Sequence, residues 1–298
     1  ARHRCSKVMR RCLPAIRRHW NWLVILSSSH FDPGLPYWQD YLPFMQRLSG
    51  RGFPSCSELN ALLPEGLSSA SGQPIRFVAS SQLDDGGYEH RIYTTGQVST
   101  RPDSWHDLFN ALVWMRYPRI KTAMNKLHHQ AGAGLKCGRR GALRDALTLF
   151  DECGVIVISS ELELLNALAD RRWSDAFLAD SFRSSVALSI CGHAMLEKYL
   201  APYKAMTAKA LLLHVDTDFM KLPRQVMLIR LDREIAKMML RGQVVDKPAC
   251  LSPLPLAGVP AWWPKAEQDN EFFYNDPEVF RQPPADLTPA PLIALPIR

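Results

Sequence analysis

Ten residues constrain the fold more than any other stretch: Trp105-His106-Asp107-Leu108-Phe109-Asn110-Ala111-Leu112-Val113-Trp114. They are apolar enough to demand burial, yet they carry an imidazole, a carboxylate and a carboxamide inward with them. A buried polar group costs free energy unless it is partnered. The rest of the chain must therefore supply those partners. The segment reads as a helix, with Asp103 or Ser104 as its cap and Tyr117-Pro118 as its end. On it, His106 and Asn110 are four apart and share a face, while Asp107 points about a quarter turn away.

The chain can build a core around such a helix. It has 298 residues, 47% of them hydrophobic. The net charge of +7 suggests nucleic acid, but its location does not. Arg2, Arg4, Lys7, Arg10, Arg11, Arg17 and Arg18 lie in the first 29 residues with no acid among them. Setting those seven aside leaves 29 Lys and Arg against 29 Asp and Glu, so the body is formally neutral. A nucleic-acid module carries its basic stripe on the folded domain. Nucleic acid is thus not the expected partner of the body. No apolar run is long enough to span a membrane.

The seven cysteines are scattered, with no Cys-x-x-Cys pair. That fits a cytoplasmic location and carries no zinc-site signal. Export through the basic N-terminal segment is the alternative. Three parts are expected: a basic leader over residues 1–30, one globular domain over 31–282, and a Pro-rich extended tail over 283–298.

The expected fold class is α+β. We read a mostly helical single domain with two β-hairpins forming a small antiparallel sheet. One hairpin pairs residues 75–79 with 88–93 around Asp84-Asp85-Gly86-Gly87. The other pairs 146–150 with 155–158 around Asp151-Glu152-Cys153-Gly154. Helices are expected over 37–48, 57–63 (capped by Ser57), 119–129, 174–183, 193–200, 204–214 and 229–241, and a strand over 186–190. Regular structure fades after Pro248, with Trp262-Trp263 packing onto the body.

Three polar blocks could carry chemistry. The first is His106, Asp107 and Asn110. The second is Asp145, Asp151 and Glu152, acids at strand ends suited to a metal or to general-base work. The third is His193 and Glu197, whose i,i+4 spacing suits a shared metal or an orienting pair. Each has a plainer reading: a helix cap, a solvated turn and a helical ion pair. Asn125 and His128 share a helical face, and Arg144 and Arg281 are candidates for holding an anion.

Several blocks together resemble one bacterial family, catalogued as domain of unknown function 3025. They include Tyr88-Glu89-His90-Arg91-Ile92-Tyr93, Thr100-Arg101 to Trp114, Asn125 to His128 and Asp145 to Gly154. Gly192-His193-Ala194 with Glu197-Lys198, Pro202-Tyr203, Pro253-Leu254-Pro255 with Trp262-Trp263, and Phe273-Tyr274 to Arg281 complete the set. Ala261 stands where the resemblance would place Gly. The resemblance implies one domain uniting these blocks and brings no reaction, cofactor or partner.

The expected function is a hydrolase-like enzyme acting on a small-molecule or polymer substrate. His106, Asp107, Asn110, Asp145, Asp151, Glu152, His193 and Glu197 would line one cleft, with a divalent metal as the candidate cofactor. The rival is a non-catalytic binding or scaffold protein in which the same residues form a buried network. A third reading is nucleic-acid association through the N-terminal arm and the Lys136–Arg144 loop.

Overall fold

The computed structural model describes residues 32–48, 52–82, 87–132, 139–270, 272–286 and 288–295. The leader, Asp84 to Gly86 and the centre of the basic loop lie outside these residues. In chain order the elements are α1 (Leu42–Arg47), α2 (Cys56–Asn60), β1 (Arg76–Ala79), α3 (Tyr88–Thr95) and β2 (Gln97–Thr100). Then come α4 (Trp105–Arg116), α5 (Pro118–Gly132), α6 (Arg139–Cys153), β3 (Gly154–Ser159), α7 (Leu162–Ala169), α8 (Trp173–Phe177) and α9 (Phe182–Ser185). The remainder are β4 (Val186–Ile190), α10 (His193–Lys198), β5 (Thr207–His214), α11 (Thr217–Met220), α12 (Arg224–Leu240), β6 (Ser252–Pro255), α13 (Lys265–Gln268) and β7 (Ile293–Ala294).

This is the expected mostly helical α+β domain, but its sheets are not the two expected hairpins. Tyr88–Thr95 is helix, and it connects β1 to β2, which pair in parallel. Gly96 closes α3 at φ 70°, where a Cβ would stand 2.0 Å from the Pro74 carbonyl oxygen. Residues 146–150 belong to α6, with Ala146, Leu147 and Phe150 buried at helical spacing. Asp151 and Glu152 therefore lie in the last turn of a helix and not in a hairpin turn.

The main sheet has five strands in the order β4-β3-β5-β6, with β7 also on β5. It is mixed: β3 runs antiparallel to β4 and parallel to β5. Every residue of β3 is buried, as expected of a strand covered on both faces. The expected helix over 204–214 is the strand β5, and regular structure continues past Pro248 as β6. Within the Pro-rich tail, Ile293 and Ala294 pair with Leu213 and His214.

Local chemistry accounts for the elements around the site. Ser55, not Ser57, caps α2, in a reciprocal arrangement with Glu58. Ser104 caps α4 by accepting from the Asp107 N–H. The first N–H groups of α5, from Arg119 and Ile120, are satisfied by Asp232 of α12, a buried carboxylate 112 residues away. Trp38, Phe109 and Trp114 sit in the core beneath α4. A second buried network joins Asp40, Ser189, Tyr117 and Arg224; Arg224 meets Asp40 at 2.7 Å, and the Asp40 side chain is only 6% exposed. In it the carboxylate is buried and paired, while the Arg224 side chain reaches solvent at 38% exposure.

Candidate active site

Three helices bring their polar ends together. α4 begins at Trp105, so His106 stands in its first turn. α6 ends at Cys153, so Asp151 and Glu152 stand in its last. α10 begins at His193, directly after Gly192. That start is fixed by backbone contact: the Cys191 and Gly192 N–H groups both donate to the Gly154 carbonyl at 2.9 Å. Gly192 is required there, because a Cβ would fall 2.4 Å from the Gly154 nitrogen and 2.6 Å from the Glu152 oxygen. Gly154 is equally tight, with a Cβ meeting the Phe150 oxygen at 2.3 Å.

The result is a facing pair of imidazoles. His193 Nε2 and His106 Nε2 are 2.9 Å apart. Glu152 Oε1 is 3.9 Å from His193 Nε2. Ligand atoms of His106, Glu152 and His193 all fall within 4.8 Å of one another. Behind each ring stands a carboxylate: Glu197 Oε2 is 3.1 Å from His106 Nδ1, and Asp151 Oδ2 is 3.7 Å from His193 Nδ1. Carboxylates behind the rings are what orient metal-binding histidines; Glu197 is within hydrogen-bond reach of its ring, and Asp151 stands just beyond it.

Proton placement sharpens the point. When His106 donates Nδ1–H to Glu197, its Nε2 lone pair faces His193 Nε2. The pair is then satisfied by an N–H on His193 Nε2 or by a cation between the two rings. Bonding to Glu197 raises the His106 pKa against the opposing effect of burial. Burial instead lowers His193 to about 4, and its Nδ1 has no hydrogen-bond partner among the described residues. Burial raises Glu152, while for Asp151 the same cost is outweighed by Lys121 and His193, which hold it low.

The cluster is open on one side. The side chains of His106, Glu152 and Glu197 are 32%, 40% and 29% exposed, whereas His193 is 5% exposed. Two of the three candidate ligands, His106 and Glu152, are therefore part-exposed, and His193 is buried.

Beneath the mouth lies a second tier. Lys121 Nζ, almost fully buried, meets Asp151 at 2.5 Å and Asn110 Oδ1 at 2.9 Å. Asn110 in turn donates to the Tyr88 hydroxyl at 2.8 Å. Asn125 donates to the side chain and carbonyl of Glu89, both at 2.8 Å. Of the expected residues, His106, Asp151, Glu152, His193 and Glu197 converge, and Asn110 joins through Lys121. Asp107 does not: it takes the Arg101 N–H, Nε and Nη2 at 2.6, 2.9 and 2.7 Å. Burial opposes its charge, but the Arg101 bonds hold its pKa low. Asp145 is exposed, about 10 Å along α6 from Glu152 at 1.5 Å per residue.

Sequence reasoning missed Lys121, Tyr88 and Glu89. The signal for Lys121 was present, since Lys121, Asn125 and His128 fall at i, i+4 and i+7 on one face of α5. His128 is half-buried, and burial lowers its pKa to about 4. Tyr88 and Glu89 were hidden by the strand-like reading of their segment. Arg144 is exposed on α6, and Arg281 lies on a different cleft.

Residues 75–283 match the family described as "Protein of unknown function (DUF3025)", and the chain belongs to that family. No curated protein and no solved structure matches the chain.

Proposed function

We propose that this DUF3025 member is a metal-dependent hydrolase whose ion is held by His106, Glu152 and His193. One observation carries the reading: two imidazoles meet Nε2 to Nε2 beside a carboxylate at an open mouth, each backed by its own acid. Tetrahedral coordination at about 2.0–2.1 Å places two nitrogens about 3.3 Å apart, so the rings need open by only a few tenths of an ångström. An ion bound here would supply a Lewis acid and acidify a water at the position that three protein ligands leave open.

The remaining roles follow from the contacts. Glu197 and Asp151 orient the two rings. Glu197 commits Oε2 to His106, which leaves its other oxygen as the candidate general base for a water at the mouth. In such a hydrolysis Glu197 would take the water proton as the water oxygen bonds to the electrophilic carbon or phosphorus, and would return that proton to the leaving group as the scissile bond breaks. Lys121 neutralises Asp151 and fixes Asn110 below the mouth.

The test is metal titration of chelator-stripped protein with Zn²⁺, Mn²⁺ and Mg²⁺, followed by a screen of phosphoesters, carboxylic esters and amides. One ion per chain and hydrolysis of one class are expected, both lost in His193→Ala with helical content retained. Absence of a bound ion together with absence of turnover would leave the scaffold reading. That reading draws support from the paired and buried Lys121–Asp151–Asn110 tier.

A further inference from the structure

A cleft of about 560 Å³ shares no lining residue with the histidine pair. Its rim carries three cations from three separate segments: Arg171 between α7 and α8, Lys209 on β5, and Arg281 near the C-terminus. Among the described residues, no acidic side chain lines it. Among the same residues, none of the three cations has a carboxylate within salt-bridge distance. The contrast with Arg172 next door is sharp, because that side chain holds Glu163, Asp175 and Asp170 at 2.7, 2.9 and 3.7 Å.

Arg171 provides two independent signs. Its Nε is buried and has no hydrogen-bond partner among the described residues. A buried donor without a partner costs free energy, so its presence calls for an explanation. Its backbone also sits at φ 59°, in the left-handed region that L side chains rarely adopt. The chain thus carries local strain at a cleft-lining arginine whose Nε is buried without a partner among the described residues. The lining also holds apolar groups beside the cations: Trp173, whose indole N–H is fixed by the Arg281 carbonyl at 3.1 Å, and Pro253 and Pro255 of β6, which pair with Lys209 and Thr207 of β5.

We propose that this cleft binds a small organic phosphate, its dianionic group held by Arg171, Lys209 and Arg281 and its apolar body lying against Trp173 and the β6 prolines. Three unopposed cations suit a doubly charged group better than a single carboxylate, and the volume suits a small molecule. The site is separate from the proposed catalytic centre and does not rest on that reading.

Isothermal titration of the full chain with phenylphosphonate tests it, since the P–C bond resists hydrolysis. Inorganic phosphate and phenol report each half of the ligand alone. Phenylphosphonate should saturate one site per chain, inorganic phosphate should bind at least about tenfold more weakly, and phenol should not bind measurably. Lys209→Met and Arg281→Met should each weaken phenylphosphonate about tenfold. Arg171→Gly should weaken it as much without lowering Tm, because glycine relieves the left-handed backbone. His193→Ala should bind as the wild type does. Failure to saturate at millimolar phenylphosphonate, or unchanged affinity in Lys209→Met combined with Arg171→Gly, overturns the proposal. Equal affinity for inorganic phosphate overturns its apolar half.

Discussion

Lys121 is the residue on which the site's interior depends. Its ammonium is almost buried and its charge is answered by Asp151 at 2.5 Å. Removing one partner of a buried pair leaves the other uncompensated, which costs roughly 3–5 kcal/mol. Lys121→Met should therefore destabilise the protein by about 3 kcal/mol in urea unfolding. Adding Asp151→Asn should restore most of that loss, because the orphaned charge is gone. A second residue argues the opposite sign. Ala261 sits at φ 68°, a conformation that glycine adopts without strain. Ala261→Gly should be neutral or stabilising by about 0.5–1 kcal/mol in the same experiment, relief of backbone strain outweighing the added unfolded-state entropy. Much of the site was legible at this scale. His106, Asp151, Glu152, His193 and Glu197 stood out as polar groups in apolar surroundings, and they meet. Asp107 and Asp145 had the same outward mark. What separates them is the side of the helix each faces and an Arg101 that arrives from the preceding loop.

At the scale of elements, strand and helix were confused where local signals cancel. Residues 88–93 alternate aromatic, β-branched and polar types, yet Arg91 and Ile92 are both buried, as on a helix. Residues 207–214 are rich in Ala and Leu, which favour helix, but the central strand of a covered sheet is apolar on both faces and has no period to read. Gly154 resembled a turn glycine. It is instead the point where α6, β3 and α10 pack backbone to backbone. That packing makes Gly192→Ala informative. The added methyl meets main-chain atoms at 2.4–2.6 Å that cannot give way, so α10 must move. A loss of roughly 1–3 kcal/mol is expected from overpacking, with metal affinity falling at least about tenfold as His193 shifts. Gly141→Ala on α6, where a Cβ meets nothing within 4 Å, should leave affinity intact. The cap of α5 offers a pH test. Burial raises Asp232 to about 6, despite the Arg119 and Ile120 N–H groups that favour its charge. A carboxyl whose folded pKa exceeds its unfolded value binds more protons when folded between the two values. Its contribution to stability therefore falls as pH rises from about 4 to 6. Measured against Asp232→Asn by urea unfolding, the wild type should lose up to about 3 kcal/mol across that window, at about 1.4 kcal/mol per unit.

At the scale of the molecule, the proposed ion would act as a cross-link. Its ligands come from α4, α6 and α10, which are spread along the chain segment from 106 to 193 and pack around the edge of the main sheet. An ion that binds only when these helices are assembled stabilises the assembled state by mass action. At a hundredfold excess over Kd that amounts to about 2.7 kcal/mol. For a domain of this size, each kcal/mol moves Tm by about 2–4 °C, so the stripped protein should gain roughly 5–10 °C on adding the ion. His193→Ala and His106→Ala should show no gain. Glu197→Gln separates a metal centre from a hydrogen-bonded imidazole pair. It keeps the three ligands but weakens the acceptor behind His106 Nδ1, and loss of such a partner lowers metal affinity by about 10–100-fold. Its Tm gain at the same ion concentration should therefore be about half that of the wild type or less, and should recover as the concentration is raised. A gain that is absent in the wild type, or equal in His193→Ala, would leave the imidazole pair as a proton-sharing element of the fold and not a metal centre.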